Sequence, residues 1–154
     1  METSKYNVSK NIEKRTCNGI VFDSIIEMRF YKEVVLPSVE KGTITSFELQ
    51  KKFELQPKFE YKGKKYAAIY YIADFVLTYP DGHVDVIDIK GYPDHVAPIK
   101  RKLFCYKYPD MNFYWLYWIK KYGGWIEYDE SKKLKREEKK RKKQEEKENG
   151  KDKN

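Results

Sequence analysis

Between residue 24 and about residue 36, apolar and polar positions recur with the 3.6-residue period of an amphipathic helix. Ser24-Ile25-Ile26-Glu27 has the form of a capping box at its start, and Pro37 is the expected stop. Beyond Gly42 the period changes to two. Phe53, Leu55, Phe59 and Tyr61 alternate with Lys52, Glu54, Gln56, Lys58 and Glu60, which predicts a strand with one wet face. Gly63 then turns the chain into an aromatic and β-branched run over residues 66–79, and Pro80-Asp81-Gly82 turns it again. Val84-Asp85-Val86-Ile87-Asp88-Ile89-Lys90-Gly91 reads as the next strand. A helical stretch over about 97–107, ended by Pro109, precedes a strong strand over 112–118. Ahead of all this, residues 1 to about 22 are polar, with a turn signal at Asn18-Gly19. The order is helix, three antiparallel strands, helix, strand and a charged C-terminal segment, a mixed α/β (α+β) class without internal repeats.

The last strand of the meander places charge where core is expected. Side chains alternate along a strand, so Asp88 and Lys90 share a face with Val84 and Val86. A wet strand end would accommodate both without further consequence. The preceding turn argues for more. Residues 79–83 fit a three-residue hairpin loop with Gly82 in the left-handed position, so Tyr79 faces His83 and Asp74 faces Asp88. Two such carboxylates have Cβ atoms ~5 Å apart and repel unless a cation lies between them. A slip of one residue would put Asp74 on the other face. The first helix adds a third acid. With Glu27 at zero on a 100° wheel, Val34, Tyr31 and Phe30 fall at about −20°, +40° and −60°, so Glu27 occupies the centre of the apolar stripe. The plain alternative is that Glu27 only folds back onto Ser24 as a cap.

Composition narrows the class. The chain has 154 residues, 40% hydrophobic and 16% aromatic, enough for one packed domain and too apolar for disorder. No stretch approaches the ~20 apolar residues of a membrane span, and the N-terminus lacks the apolar run of a signal peptide, so the cytoplasm is the expected location. Cys17 and Cys105 form neither a disulfide framework nor a metal-ligand spacing. Of the net charge of +8, residues 131–154 hold 12 Lys and Arg against 6 Asp and Glu, leaving 20 against 18 for residues 1–130. The expected division is thus a nearly neutral folded domain, 1–130, and a basic tail, 131–154, helix-prone or disordered. Such a tail suits nucleic acid or an anionic surface, or serves solubility alone. His83 and His95 are the only histidines, and no Gly-rich phosphate loop is present, which disfavours histidine-based metal sites and nucleotide cradles. The run Phe113-Tyr114-Trp115-Leu116-Tyr117-Trp118 could stack bases, but reads more simply as core and subunit interface.

Three acids and a lysine converging on one sheet suit metal-assisted phosphodiester hydrolysis. Mg²⁺ takes carboxylate oxygens and keeps some waters. Asp74 and Asp88 would hold it, with Glu27 as a direct or water-mediated ligand. Lys90 would orient or deprotonate the attacking water.

Glu27 on a helix, Asp74 on one strand and Asp88-Ile89-Lys90 on the next, in an αβββαβ order, resemble the PD-(D/E)xK superfamily with its restriction-endonuclease-like fold. The segments GIVFDSIIEMRFYKEV, LQPKF, YIADFVLTYPDG, VIDIKG and IKRKLFCYKYPDM together resemble a family of small phage-encoded endonucleases similar to Holliday-junction resolvases. The resemblance runs from about residue 18 to 116. Ala73 replaces the superfamily's proline. It implies metal ligation by Asp74, Asp88 and the backbone carbonyl of Ile89, completed by Glu27, with Lys90 as the catalytic lysine. It also implies DNA contacts for Gln56, Lys100, Arg101 and Lys102. The expected function is a Mg²⁺-dependent DNA endonuclease, with Mn²⁺ as a substitute, acting on branched DNA in the bacterial host's cytoplasm. A homodimer would follow if two symmetric strands are cut. The reading from a different class is a non-catalytic basic nucleic-acid-binding protein.

Overall fold

The computed structural model describes residues 11–89 and 95–151. The N-terminal segment, residues 1–10, and Lys90 lie outside the described residues. A small hairpin comes first, β1 (Thr16–Cys17) and β2 (Ile20–Val21), turned by Asn18 and Gly19, both with positive φ, as the turn signal anticipated.

The first helix is longer than expected. It starts as α1 (Ile25–Phe30), passes through a π-helical segment, Tyr31–Val35, and continues as α2 (Leu36–Glu40). Pro37 therefore does not stop it. Proline lacks an N–H and its ring clashes with the carbonyl four residues back, and the wider π turn just before it relieves that conflict. The extra residue also shifts the helix phase. Val35, rather than the expected Val34, is the fully buried valine, in company with Phe30 and Tyr31.

β3 (Ser46–Gln56) begins seven residues earlier than the Phe53 start in the sequence pattern, and ends before Phe59. Phe59 and Tyr61 are not part of it. They belong to a separate hairpin, β4 (Phe59–Tyr61) and β5 (Lys64–Tyr66). β6 (Ile69–Thr78), β7 (Val84–Ile89), α3 (Ala97–Lys107) and β8 (Asn112–Ile119) follow close to expectation. β9 (Gly124–Glu127) had no sequence signal beyond Gly123-Gly124. The charged tail is helical, α4 (Tyr128–Lys151). The class is mixed α and β, with a five-stranded sheet in the hydrogen-bonded order β3-β6-β7-β8-β9. No helix among the described residues is long and apolar enough to cross a membrane.

Contacts separate the chain into two compact units that divide between Tyr114 and Trp115, within β8. In the first unit, α3 lies on an aromatic core. Phe104 is fully buried, its ring 5.0 Å from Phe53, 5.6 Å from Tyr71 and 5.2 Å from Phe113. The Tyr108 hydroxyl, at the end of α3, donates to the Glu54 carbonyl at 2.9 Å and fixes the helix along β3. In the second unit, Trp115 is buried and meets Tyr128 at 5.6 Å. The Glu127 carboxylate accepts the backbone N–H groups of Asp129 and Glu130, which caps the start of α4. Of the aromatic run, Trp115 is buried, Phe113, Leu116 and Tyr117 are half-buried, and Tyr114 and Trp118 are exposed.

Truncating Phe104 removes the ring that four others share, those of Phe53, Tyr71, Tyr108 and Phe113. Phe104→Ala is expected to cost about 3–5 kcal/mol of unfolding free energy in urea titration, with an unchanged native circular dichroism spectrum at low denaturant.

Candidate active site

The β6–β7 register decides what the acids can do. Thr78 pairs with Val84, Leu77 with Asp85, Val76 with Val86 and Phe75 with Ile87. That ladder ends at Phe75–Ile87, and Asp74 and Asp88 are the next residues along the two strands. Local chemistry in the turn sets this register. The Tyr79 N–H donates to the His83 carbonyl at 3.1 Å, and Gly82, at φ +87°, donates to the Tyr79 carbonyl at 2.9 Å. The Tyr79 and His83 rings stack 4.0 Å apart, and Asp81 accepts the His83 N–H at 3.1 Å. Every one of these contacts lies within five residues, so the turn needs nothing from the rest of the fold.

Asp88 is 3% exposed. The Ile89 backbone N–H donates to Asp74 Oδ2 at 2.8 Å, and the Asp88 carboxyl lies close enough to act electrostatically on that of Asp74. Two acids this close favour a shared proton or a cation between them. Burial, followed by the charge of Asp88, pushes the Asp74 carboxyl up to about 9, with Glu27 adding to the rise and the Ile89 N–H opposing it.

Gln50 is the functional neighbour that sequence reasoning missed. Its Nε2 donates to Asp74 Oδ1 at 3.2 Å from the adjacent strand β3, and its φ of +51° is left-handed, a strained state for a residue with a Cβ. The pairs Leu49–Phe75 and Lys51–Ala73 flank it, so the ladder keeps its register through the distortion. The faces, however, exchange. Phe75 packs on Phe30 at 5.0 Å and Phe47 on Tyr31 at 5.5 Å, whereas Phe53 and Tyr71 pack on Phe104 of α3. Odd-numbered residues thus face the first helix on one side of the Gln50–Asp74 level and α3 on the other. A regular strand pair keeps them on one face. The acids sit where the sheet changes sides.

Glu27 satisfies both readings made of it. Its N–H donates to the Ser24 hydroxyl at 3.2 Å and that hydroxyl donates to Glu27 Oε1 at 2.8 Å, a cap at the helix start. It is also 8% exposed. Burial first, with Asp23 and Asp88 adding like charge, raises its carboxyl above the ordinary range. Its carboxylate is nevertheless turned toward Ser24. Among the described residues, no three His, Cys, Asp or Glu side chains stand close enough together to hold a metal ion. The donors that fit a hard cation are therefore the paired Asp74 and Asp88 carboxyls, with the Ile89 main chain already in contact with Asp74.

The remaining candidates separate. Arg101 on α3 acts electrostatically on the Tyr71 hydroxyl, as do Asp88 and Asp74, and its guanidinium lies 5.8 Å from the Phe113 ring centre. Burial, then the two carboxylates, drive the Tyr71 phenol far above its ordinary value and keep it protonated. Lys100 is half-buried and Lys102 exposed on the same helix. Gln56 is not brought to the acids. The ladder shifts between Glu54 and Gln56 and places Gln56 opposite Ile69, five positions along β6 from Asp74. Only a helix or strand phase can be read from a sequence, and Gln50 carried no signal because a left-handed residue inside a strand has no pattern.

Residues 3–124 match a family described as proteins of unknown function, DUF1064, and the chain belongs to that family. No curated protein matches it.

The raised Asp74 carboxyl fixes a direction for pH. Between its ordinary value of 3.8 and about 9, the folded state keeps a proton that the unfolded chain releases. This group's contribution to stability is full below about pH 4 and falls as pH rises toward 9. Melting temperatures in EDTA from pH 5 to 9 should therefore decline more steeply for the wild type than for Asp74→Asn, and the variant should be the more stable at pH 8. Parallel profiles would contradict the assignment.

Proposed function

We propose that this protein is a divalent-metal-dependent DNA endonuclease of the PD-(D/E)xK, restriction-endonuclease-like type. The observation that carries the reading is the close pair of carboxyls Asp74 and Asp88, with Asp88 buried, on adjacent strands whose register a local turn sets. Like charges so placed cost stability, and a cation between them is the natural relief. The element order agrees with the αβββαβ core, with α1 and α2 before the meander β3-β6-β7 and α3 and β8 after it. The segments that carry the resemblance lie within the family match at residues 3–124.

Asp74, Asp88 and the Ile89 carbonyl would hold Mg²⁺ or Mn²⁺. Bound there, the ion supplies Lewis-acid activation of water and phosphate. The chain's own groups do the rest. The Ile89 N–H and Gln50 amide orient the Asp74 carboxyl. Asp74 gives up its proton when a cation takes that place. Glu27, capped by Ser24 and acidic-shifted upward by burial, tunes the charge beside the pair. Lys90, two residues after Asp88 in the sequence, orients or deprotonates the attacking water. Arg101, acting at the Tyr71–Asp88 side, receives a phosphate. The DNA acted on is branched, in the bacterial host's cytoplasm, and symmetric cuts on two strands require a two-fold dimer. A binding protein without catalysis would explain the basic α4, but gains nothing from buried acids facing phosphate.

Incubation of supercoiled plasmid, linear duplex and four-way-junction DNA with Mg²⁺ or Mn²⁺ should give cleavage that EDTA abolishes. Asp88→Asn and Lys90→Ala should each lower the rate about 100-fold or more while DNA binding persists. Wild-type protein that binds these DNAs and never cuts them would leave the binding-protein reading standing.

The basic helix makes a separate claim. Residues 139–154 carry eight Lys and Arg against four Asp and Glu, and lie beyond the Lys121–Glu138 ion pair. Deleting them should flatten the salt dependence of DNA affinity and leave cleavage at saturating protein unchanged. An unaltered salt slope would make α4 a solubility element.

A further inference from the structure

The hairpin β4–β5 has no packing role. Residues 57–67 are all exposed, and the two strands form a sheet of their own. Isolated two-stranded hairpins are marginal in water. This one is held by its turn and one ring pair. Lys62 and Gly63, both with positive φ, make the two-residue turn that matches strand twist, and Phe59 and Tyr66 stack 4.8 Å apart at 5°.

Its two faces differ. Cross-strand pairing puts Phe59 with Tyr66 and Tyr61 with Lys64 on one face, and Glu60 with Lys65 on the other. Tyr61 is 58% exposed, Phe59 45% and Tyr66 37%, an unusual cost for three neighbouring rings on a face that packs on nothing among the described residues. Around them stand Lys58, Lys62, Lys64 and Lys65 against Glu60 alone. Lys62 lies 5.3 Å from the Tyr61 ring centre and Lys64 5.2 Å from that of Tyr66. Rings with ammonium groups at their edges offer a base a stacking surface and its phosphate a counter-charge, and stacking requires unpaired bases.

We infer that the β4–β5 hairpin is a single-stranded DNA contact, which stacks unpaired bases on Tyr61 and the Phe59–Tyr66 pair and holds the adjoining phosphates with its lysines. The ladder position of Ile69, where the hairpin rejoins β6, is five residues from Asp74, ~17 Å along a strand. The surface thus selects DNA with unpaired bases near the cut, a substrate class for the proposed nuclease. The inference takes DNA as its partner from that proposal, but its test does not depend on cleavage.

Fluorescence anisotropy in EDTA, with a labelled 20-nucleotide oligothymidylate and a blunt 20-base-pair duplex, provides that test. Tyr61→Ala should weaken single-strand binding about 10-fold or more and leave the duplex within twofold, while Tyr61→Phe binds like the wild type. Lys62→Ala with Lys64→Ala should reduce the salt slope on the single strand by about 1.4. Melting temperatures of the variants report whether they are folded, as expected for exposed positions. Equal losses on both DNAs, or an unchanged single-strand affinity in Tyr61→Ala, would overturn the inference. Loss of plasmid cleavage in Mg²⁺ bears on the nuclease reading alone, because no binding measurement here contains a metal.

Discussion

Two carboxyls that should repel are held together by a backbone that has no choice. The stacked Tyr79 and His83 rings, the left-handed Gly82 and the Asp81 cap form a turn that closes within a few residues, and the β6–β7 ladder carries its register to Phe75 and Ile87, the neighbours of Asp74 and Asp88. Because the register is set locally, the chain cannot slide the acids apart without moving Val76, Val86 and Phe75 out of the core. The proton held by Asp74 is the consequence of that constraint.

The surrounding structure reads as support for this pair. Gln50 adopts a strained conformation and its amide reaches Asp74. The sheet changes faces at the same level, with the first helix on Phe75 and α3 on Tyr71. Both helices can therefore bring groups toward one point, Glu27 from α1 and Arg101 from α3. A regular sheet would keep them on opposite faces. The π turn that spares the helix from Pro37 lies one turn beyond Glu27, so the helix gains length without disturbing its capped start.

Much of this was legible in the sequence wherever local chemistry decides. The turn at residues 79–83, the Ser24–Glu27 box, the α3 boundaries and the register of β6 against β7 all follow from short-range rules. What was not legible depends on tertiary accommodation. Pro37 ordinarily ends a helix, and only packing of Val35 and Tyr31 makes the π alternative favourable. The run from Phe53 to Tyr61 alternates perfectly, yet Pro57 and the Lys62-Gly63 turn divide it into a sheet strand and a projecting hairpin. Alternation states which residues share a face and not whether anything covers it. Gln56 was chosen by resemblance, and its place near the end of β3, opposite Ile69, keeps it five positions along the ladder from Asp74. Charge is divided in the same spirit. Residues 1–130 are nearly neutral and keep a compact acidic site, while the lysines of β4–β5 and α4 stand on exposed surfaces.

The central claim is that the Asp74–Asp88 pair exchanges its proton for a divalent cation. Electron paramagnetic resonance titration of Mn²⁺ at pH 7.5, without DNA, measures this directly. The account predicts saturable binding by the wild type that Asp88→Asn lowers at least 10-fold, with proton release on binding. Mn²⁺ binding of equal strength in both proteins, or none in either, would contradict it.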